Sequence, residues 1–186
     1  MLEELKNNII KELGRDNVWF YEDYFSDCPH HQYAGSPIRG FLGEGDKKRI
    51  IFVSPNPSGK VRNIDGNEPR NSKLELFYTL LNERNFNNEH LTDFTKKRLS
   101  KEDAGKFWKQ PFDNLLIEKE KKWLKEEFKI VNPEIVVIVG KTNAPKIRKF
   151  LIENQLIGEN NIKDIHHYSQ RGQNLLNHFI NDMIGI

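Results

Sequence analysis

Five consecutive apolar, β-branched residues, Ile135 to Val139, stand directly before Gly140 and narrow the choice of folds. A strand with one solvated face alternates apolar and polar side chains, whereas a strand buried on both faces is apolar throughout. We therefore expect Ile135 to Val139 to form a strand inside a parallel sheet that helices cover on both faces.

Three further runs, each followed by turn residues, predict the other strands: Arg49 to Val53, His90 to Phe94, and Ile162 to His166. Helical patterns separate these runs, and alternating strands and helices are typical of parallel sheets. The sequence therefore predicts an α/β fold, a three-layer α/β/α sandwich with a four-stranded parallel sheet. A length of 186 residues suits one such domain, so residues 1–186 are assigned to a single domain.

Apolar residues spaced three and four apart predict five helices, whose periodic patterns start at Leu2, Leu74, Leu116, Ala144 and Leu175. The first helix is expected to end at Gly14. Asn143 is the expected N-terminal cap of the fourth helix, with Pro145 in its first turn. Ligands of such folds bind beyond the carboxyl ends of the strands, so the residues that follow each strand are the candidates for function.

Hydrophobic residues make up 37% of the chain and charged residues 30%, a composition typical of a folded, soluble protein. No stretch approaches the roughly 20 apolar residues that span a bilayer, so no membrane partner is expected. Acidic residues follow Met1 where a signal peptide would be basic. Cys28 is the sole cysteine, which excludes an internal disulfide and a four-cysteine iron–sulfur cluster. These features favour the cytoplasm, or the nucleus in a eukaryote.

The net charge of +2 does not by itself indicate a nucleic-acid partner. The distribution of charge is more informative, because six basic residues and only two acids lie between Lys96 and Lys109. A second basic group, between Lys141 and Lys149, contains no acid. Such groups contact phosphates or form solvated helix faces, and the sequence leaves both interpretations open.

The segment from Ser54 to Lys60 places Asn56 between two prolines. Each proline fixes its own φ angle and restricts the residue before it, so the loop is a stiff mount for one aimed side chain. An ordinary turn is the alternative, since Pro, Asn, Ser and Gly are common turn residues. A phosphate-binding loop is excluded, because Ser54 and Val61 stand where that motif requires Gly and Ser or Thr.

Two adjacent histidines, His166 and His167, end the last predicted strand. A structural role and a catalytic role are both open for such a residue. Metal binding is a more specific alternative, for which Cys28, His30 and His31 offer further donors. Against it, neighbouring side chains on a strand point to opposite faces, and the spacing matches no zinc finger. No metal is therefore expected.

Five segments in chain order resemble motifs of the uracil-DNA glycosylase superfamily. Asn56-Pro57 is similar to the Gly-x-Asn-Pro-Gly motif of its mismatch-specific and single-strand-selective branches, and His167-Tyr168-Ser169 resembles its His-Pro-Ser motif. The segments similar to its other strands and to the approach to the first strand are Leu91 to Arg98, Asn132 to Lys141, and Phe41 to Gly45. The resemblance covers roughly residues 38–180.

The resemblance implies a sheet with strand order 2-1-3-4. It also implies a monofunctional DNA glycosylase that flips a damaged or deaminated base, uracil or a related one, out of DNA. The enzyme would hydrolyse the N-glycosidic bond of that base in base excision repair. DNA is then the partner, the protein is expected to be a monomer, and no cofactor is required.

Residue roles follow from the same resemblance. Asn56 would position the attacking water, and His167 would donate a hydrogen bond to the departing base. The base would be bound by Ser54, Pro55, Asp93 and Arg70. The DNA backbone would be contacted by Ser58, Lys97, Arg98, Ser169, Gln170 and Arg171, and Lys96 is also placed to meet phosphate.

Several positions depart from the family pattern. Ser54 and Ser58 replace glycines, and Tyr168 replaces a proline. Arg70 stands where an aromatic ring stacks on the base, although a guanidinium plane can also stack. Asp93 stands where several branches use an asparagine, and an ionised carboxylate accepts hydrogen bonds but donates none. The preferred base is therefore open.

Two other functions remain compatible with the sequence. A non-catalytic nucleic-acid-binding protein on the same fold would keep Asn56 and His167 as residues at the rim of a pocket. A small-molecule hydrolase on a flavodoxin-like sheet is the third possibility, but the sequence offers it no convincing pair of nucleophile and base.

Overall fold

A computed structural model describes residues 1–18, 20, 50–55, 72–83, 86, 89–111, 118–168 and 173–186. Four strands form its sheet: β1 (Ile50–Ser54), β2 (His90–Asp93), β3 (Ile135–Val139) and β4 (Ile162–Ile165). All neighbouring strands are parallel, in the order β2-β1-β3-β4. The predicted parallel sheet and its strand order are confirmed.

The described part of the chain contains six α-helices: α1 (Leu2–Leu13), α2 (Ser72–Glu83), α3 (Lys101–Lys109), α4 (Glu118–Val131), α5 (Ala144–Glu153) and α6 (Gln173–Ile184). Helices α2 and α6 cover one face of the sheet, where Phe77 and Phe179 pack with Phe52. Helices α4 and α5 cover the other face, where Leu124 and Ile147 belong to the same apolar cluster as strand residues of β1 and β3. The predicted three-layer α/β/α arrangement is confirmed.

Helix α3 is not among the predicted helices. Its N-terminus has a recognisable cap, because the Ser100 Oγ accepts a hydrogen bond from the Asp103 N–H at 3.0 Å. Acidic residues Glu102 and Asp103 occupy the first turn and basic residues Lys106 and Lys109 the last, which suits the helix dipole. These end signals, rather than an apolar stripe, mark this helix in the sequence, since α3 has no fully buried residue.

Helix α1 ends where the sequence predicts, with Gly14 at a φ of 86°. Its buried Leu5 and Ile9 pack with Trp123 of α4. The chain then joins the turn after β2, because Val18 bridges Lys97 in antiparallel fashion. Thus α1 forms an additional layer outside α4.

The first turn of α5 differs in one detail from its predicted capping. Asn143 occupies the N-cap position, but its side chain makes no capping hydrogen bond. Its backbone carbonyl accepts from the Ile147 N–H at 3.2 Å, and Pro145 lies in the first turn as predicted. The cap is therefore formed by backbone alone.

None of the helices in the described ranges combines the length and apolar character needed to cross a membrane.

Candidate functional site

The carboxyl ends of three strands meet around Gly140. A Cβ atom placed on Gly140 would lie 3.4 Å from Cδ2 of His167 and 3.6 Å from Cγ of Pro55. Pro55 follows β1, Gly140 follows β3, and His167 lies just beyond β4. The turn after β2 joins them, because the Thr95 N–H donates to the Pro55 carbonyl at 3.4 Å. Pro55 and His167, both predicted site residues, therefore lie on either side of Gly140.

Gly140 permits this close approach. Its φ of 120° is accessible to glycine but strained for any residue with a Cβ. Its N–H donates to the Ile165 carbonyl at 2.8 Å, which continues the pairing of β3 with β4 past the end of the strands. Gly140 therefore determines how closely Pro55, after β1, and His167, after β4, approach the end of β3.

Replacing Gly140 with alanine should lower the free energy of unfolding by roughly 1–3 kcal/mol, because it forces a residue with a Cβ into the strained φ of 120°. Urea unfolding measures this change. Gly105→Ala is the matched control, since Gly105 lies inside α3 with no atom within 4 Å of the added methyl group. That control should stabilise the protein slightly. Equal effects of the two substitutions would contradict the role given to Gly140.

His167 is partly buried and rests against an aromatic stack. Its ring centroid lies 4.4 Å from that of Tyr168, which in turn stacks on Phe77 at 5.2 Å and 8° between planes. Burial lowers the pKa of His167 to about 4. The imidazole is therefore neutral at pH 7, and a neutral imidazole carries one N–H donor and one acceptor nitrogen.

Tyr168 stands where the resembling motif has a proline, and the structure gives this residue a positioning role. Its ring contacts His167 and stacks on Phe77, next to Phe179 at 6.3 Å between centroids. Because Phe77 and Phe179 are completely buried, Tyr168 is held by the core. The orientation of His167 is thereby supported by the core as well.

His166 is directed to a different partner. Its Nδ1 lies 2.6 Å from Oδ2 of Asp182 on α6, and its backbone N–H donates to the same oxygen at 2.7 Å. Burial alone would raise the pKa of Asp182, but hydrogen bonds from His166 and Lys141 lower it. His166 therefore anchors α6 to the end of β4, while His167 lies at Gly140.

No three His, Cys, Asp or Glu side chains come together as metal ligands within the ranges that the structure describes. The other donors of the metal alternative, Cys28, His30 and His31, lie outside those ranges.

Asp93 ends β2 in register with Ser54 at the end of β1. Both residues are buried, and the Phe94 N–H donates to the Ser54 carbonyl at 2.7 Å. Burial raises the pKa of Asp93 to about 8, although the Lys96 charge lowers it and the Glu127 charge raises it. The acceptor-only chemistry expected from the sequence applies to the ionised carboxylate, whereas the neutral acid has a donor as well.

The prediction that Lys96 contacts phosphate is wrong. The residue is buried, with only 5% exposed, and its Nζ forms an ion pair with Glu127 of α4. The same Nζ donates to Oγ1 of Thr92 and, at 2.9 Å, to the carbonyl of Asp93. The physical reason is that a buried ammonium must be paired and hydrogen-bonded, and these three acceptors meet that need inside the protein.

Glu127 is the centre of a buried polar cluster that the sequence analysis did not predict. Its Oε1 lies 2.5 Å from Nε2 of His90, and its Oε2 accepts from Oγ1 of Thr92 at 2.9 Å. Burial would raise the pKa of Glu127, but the charges and hydrogen bonds of Lys96 and His90 lower it to about 2. Polar residues two apart in a strand, as His90 and Thr92 are, were the available signal that this face needs a polar partner.

Lys97 and Arg98 leave the same turn toward the surface. Lys97 is exposed and Arg98 is half-buried. The Arg98 N–H donates to the Asn17 carbonyl at 2.7 Å, so the backbone of the turn is held by the segment after α1. Both residues lie in the segment that follows the carboxyl end of β2.

The remaining predicted site residues lie outside the described ranges: Asn56, Ser58, Arg70, Ser169, Gln170 and Arg171. The structure thus brings together Ser54, Pro55, Asp93 and His167, with Lys97 and Arg98 at the adjoining turn. A scan against protein-family models and a search of curated proteins found no match to this sequence. The function is therefore inferred from these residues.

Proposed function

We propose that the protein is a monofunctional DNA glycosylase that removes a damaged or deaminated base, uracil or a related one, in base excision repair. The observation that carries this proposal is a neutral His167, held against Tyr168 and placed beside Pro55. Pro55 directly precedes Asn56, the residue proposed to position the water. A hydrogen-bond donor and a water-positioning amide are the two groups that this hydrolysis needs.

Cleavage of an N-glycosidic bond leaves positive charge on the sugar and negative charge on the base. A neutral imidazole N–H aimed at a base oxygen stabilises the second charge without itself losing a proton. Asn56 would direct a water oxygen at C1′ of the sugar. The C1′–N bond would break with its electron pair leaving on the base, the water oxygen would form the new bond to C1′, and the water would lose a proton to solvent. Because no step in this scheme requires a metal or an organic cofactor, none is proposed.

DNA recognition is assigned to the neighbouring groups. Ser54, Pro55 and Asp93 would line the base pocket, with Arg70 stacking on the base. Phosphates would be bound by Lys97 and Arg98 on the turn after β2 and by Ser58, Ser169, Gln170 and Arg171. The protein would act as a monomer on DNA, in the cytoplasm or in a nucleus.

The direct experiment measures abasic sites. Purified protein is incubated with single- and double-stranded oligonucleotides that carry uracil, hypoxanthine, xanthine or an alkylated base, and the strands are then cleaved with alkali. Excision of at least one of these bases is expected. If the protein binds these strands and excises none of the bases, the non-catalytic nucleic-acid-binding function replaces this proposal.

Neutralising Lys97 and Arg98, as Lys97→Gln with Arg98→Gln, should weaken DNA binding to a similar extent for every sequence. Removing one cation that neutralises a phosphate should lower the slope of log affinity against log salt by about one. Fluorescence anisotropy at several salt concentrations measures both effects.

The matched control changes the same number of charges at the opposite edge of the sheet. Lys129 and Lys149 are exposed, in the C-terminal halves of α4 and α5, toward the amino ends of the strands. Lys129→Gln with Lys149→Gln should leave the salt slope unchanged. If both double variants behave alike, Lys97 and Arg98 contribute only general charge.

A further inference from the structure

The Asp93 carboxyl group is buried at the end of β2, with only 5% of the residue exposed. Among the described residues, the cation that acts on this carboxyl group is Lys96, three residues further along the chain. An ammonium has three N–H donors. Lys96 directs these to Glu127, to the Thr92 hydroxyl and to the backbone carbonyl of Asp93. All three N–H donors of the Lys96 ammonium are therefore directed to acceptors other than the Asp93 carboxyl group.

The surroundings of Asp93 favour its neutral form. Among the described residues, the charges that act on it are Lys96 on its own turn and Glu127 on α4, and these have opposite signs. Its register partner on β1, Ser54, carries no charge. At the end of β4, His167 is neutral and Tyr168 is packed in the aromatic stack. Burial is then the largest influence, and it raises the pKa of Asp93 to about 8.

Position links this acid to the site. Side chains alternate along a strand, so Asp93 shares a face of the sheet with Leu91, and Ser54 shares that face with Phe52. Leu91 and Phe52 belong to the apolar cluster against which Tyr168 packs. Asp93 thus lies at the carboxyl end of β2, on the face where Tyr168 supports His167.

We propose that Asp93 binds the extruded base as a neutral carboxylic acid, with its O–H donor and its C=O acceptor paired to adjacent groups on the base edge. This inference rests on the proposed function and specifies the substrate class. A neutral acid complements an edge that carries a donor next to an acceptor, such as the N–H and C=O of uracil or hypoxanthine. An ionised carboxylate would instead favour two adjacent donors or a cationic alkylated base.

The protonation state of Asp93 is measured independently of any activity. Protein labelled with carboxyl-¹³C aspartate is titrated by NMR between about pH 5 and about pH 10, and Asp93→Asn identifies the resonance. We expect the Asp93 carboxyl to titrate near pH 8. Titration below about pH 5, in the ordinary range of aspartate, overturns the inference whatever the protein does to DNA.

Base binding is measured with an oligonucleotide that contains the 2′-fluoroarabino analogue of deoxyuridine, which resists hydrolysis. The wild-type affinity for the analogue, relative to unmodified DNA, should fall by up to about tenfold for each pH unit above the Asp93 transition. Asp93→Asn keeps a donor and an acceptor at every pH, so its affinity should stay level. This variant also corrects for ionisation of the base itself.

Each outcome has one meaning. A wild-type affinity that does not change with pH, together with an Asp93 that titrates near pH 8, removes Asp93 from base recognition but leaves the glycosylase proposal intact. No preference for the analogue at any pH, together with no excision of any base, overturns the proposed function and this inference with it. A fall with pH that Asp93→Asn abolishes supports the inference.

Discussion

Replacing Lys96 with methionine is expected to lower the free energy of unfolding by about 3–5 kcal/mol, because the buried Glu127 carboxylate is then left without its ammonium partner. Both side chains of this ion pair are nearly inaccessible, with 4% of Lys96 and 9% of Glu127 exposed. Water therefore cannot replace the missing partner without opening the contact between β2 and α4. Urea unfolding at pH 7 measures the change.

Lys97→Met is the matched control, one residue away and exposed, and should change the free energy of unfolding by less than about 0.5 kcal/mol. A double variant, Lys96→Met with Glu127→Leu, should recover much of the stability, since it removes the buried charge as well. Similar unfolding midpoints for Lys96→Met and Lys97→Met would show that the Lys96 pair contributes nothing to stability.

Acid supplies a second test of the same pair. Burial alone would raise the pKa of Glu127, but Lys96 and His90 lower it to about 2, below the usual 4.5. A folded-state pKa below the unfolded value gives stability that is complete above pH 4.5 and is lost as the pH falls from 4.5 toward 2. Because Lys96→Met removes one cause of the low pKa, its stability should fall less steeply across that interval than that of the wild type.

Replacing His167 with alanine is expected to slow base excision by about 10²–10³-fold, a typical effect when one preorganised donor is removed. Asn56→Ala should likewise keep DNA binding and abolish most excision, whereas Asn56→Asp should retain part of it because a carboxylate can also hold water. Single-turnover rates on the best base found, with affinities measured alongside, separate the chemical step from binding.

His166→Ala is the matched control for His167. The His166 ring binds Asp182 on α6, and the His166 backbone N–H keeps its own bond to Asp182 after the substitution. This control should reduce stability more than it reduces the excision rate. Equal reductions of excision in the two variants would indicate that His167 acts only through the fold.

The pH profile should also identify His167 as a neutral donor. Burial lowers the pKa of His167 to about 4, from a usual 6.5. The ring therefore keeps a single N–H as the pH falls from 7 to about 5, and His167 should cause no decrease of excision in that interval. Stability depends on pH differently, because the unfolded chain takes up the proton first: the contribution of His167 is complete above pH 6.5 and is lost as the pH falls from 6.5 toward 4.

The local elements were predictable because their signals are local. The run Ile135–Val139 and the helix Leu2–Leu13 have the predicted ends, since an apolar run and a closing glycine mark them. Two strands end one residue earlier than predicted, β2 at Asp93 and β4 at Ile165. In β2 the prediction included the apolar Phe94, which is buried in the turn after the strand. Strand order has no such local signal, and it was predicted only through the family resemblance.

The candidate-site residues that follow the strands were predictable from the sequence, but the buried contacts between the sheet and α4 were not. Pro55 and His167 were found because parallel strands bring their carboxyl ends to one edge. The burial of Lys96 was not predicted, because its partner, Glu127, lies on a helix that is distant in sequence and because neighbouring basic residues are exposed. A run of charged residues shows only how many charges a segment contains, whereas the burial of each side chain depends on which element packs over it. The raised pKa of Asp93 has the same origin, because its largest cause is burial, which depends on the elements that pack around the residue.

The central position of β1 also determines when the site can be assembled during folding. Ile51 of β1 pairs with His90 and Ile50 pairs with Ile135, so both neighbours of the strand come later in the chain. By contrast, β3 and β4 are joined by a short connection that contains α5 and a 3-10 helix, Glu159–Asn161. Contacts between distant residues require closure of long loops and form slowly. The pairing of β1 with β2 and β3 therefore needs two long loop closures, and we expect the site at Gly140 to form late in folding.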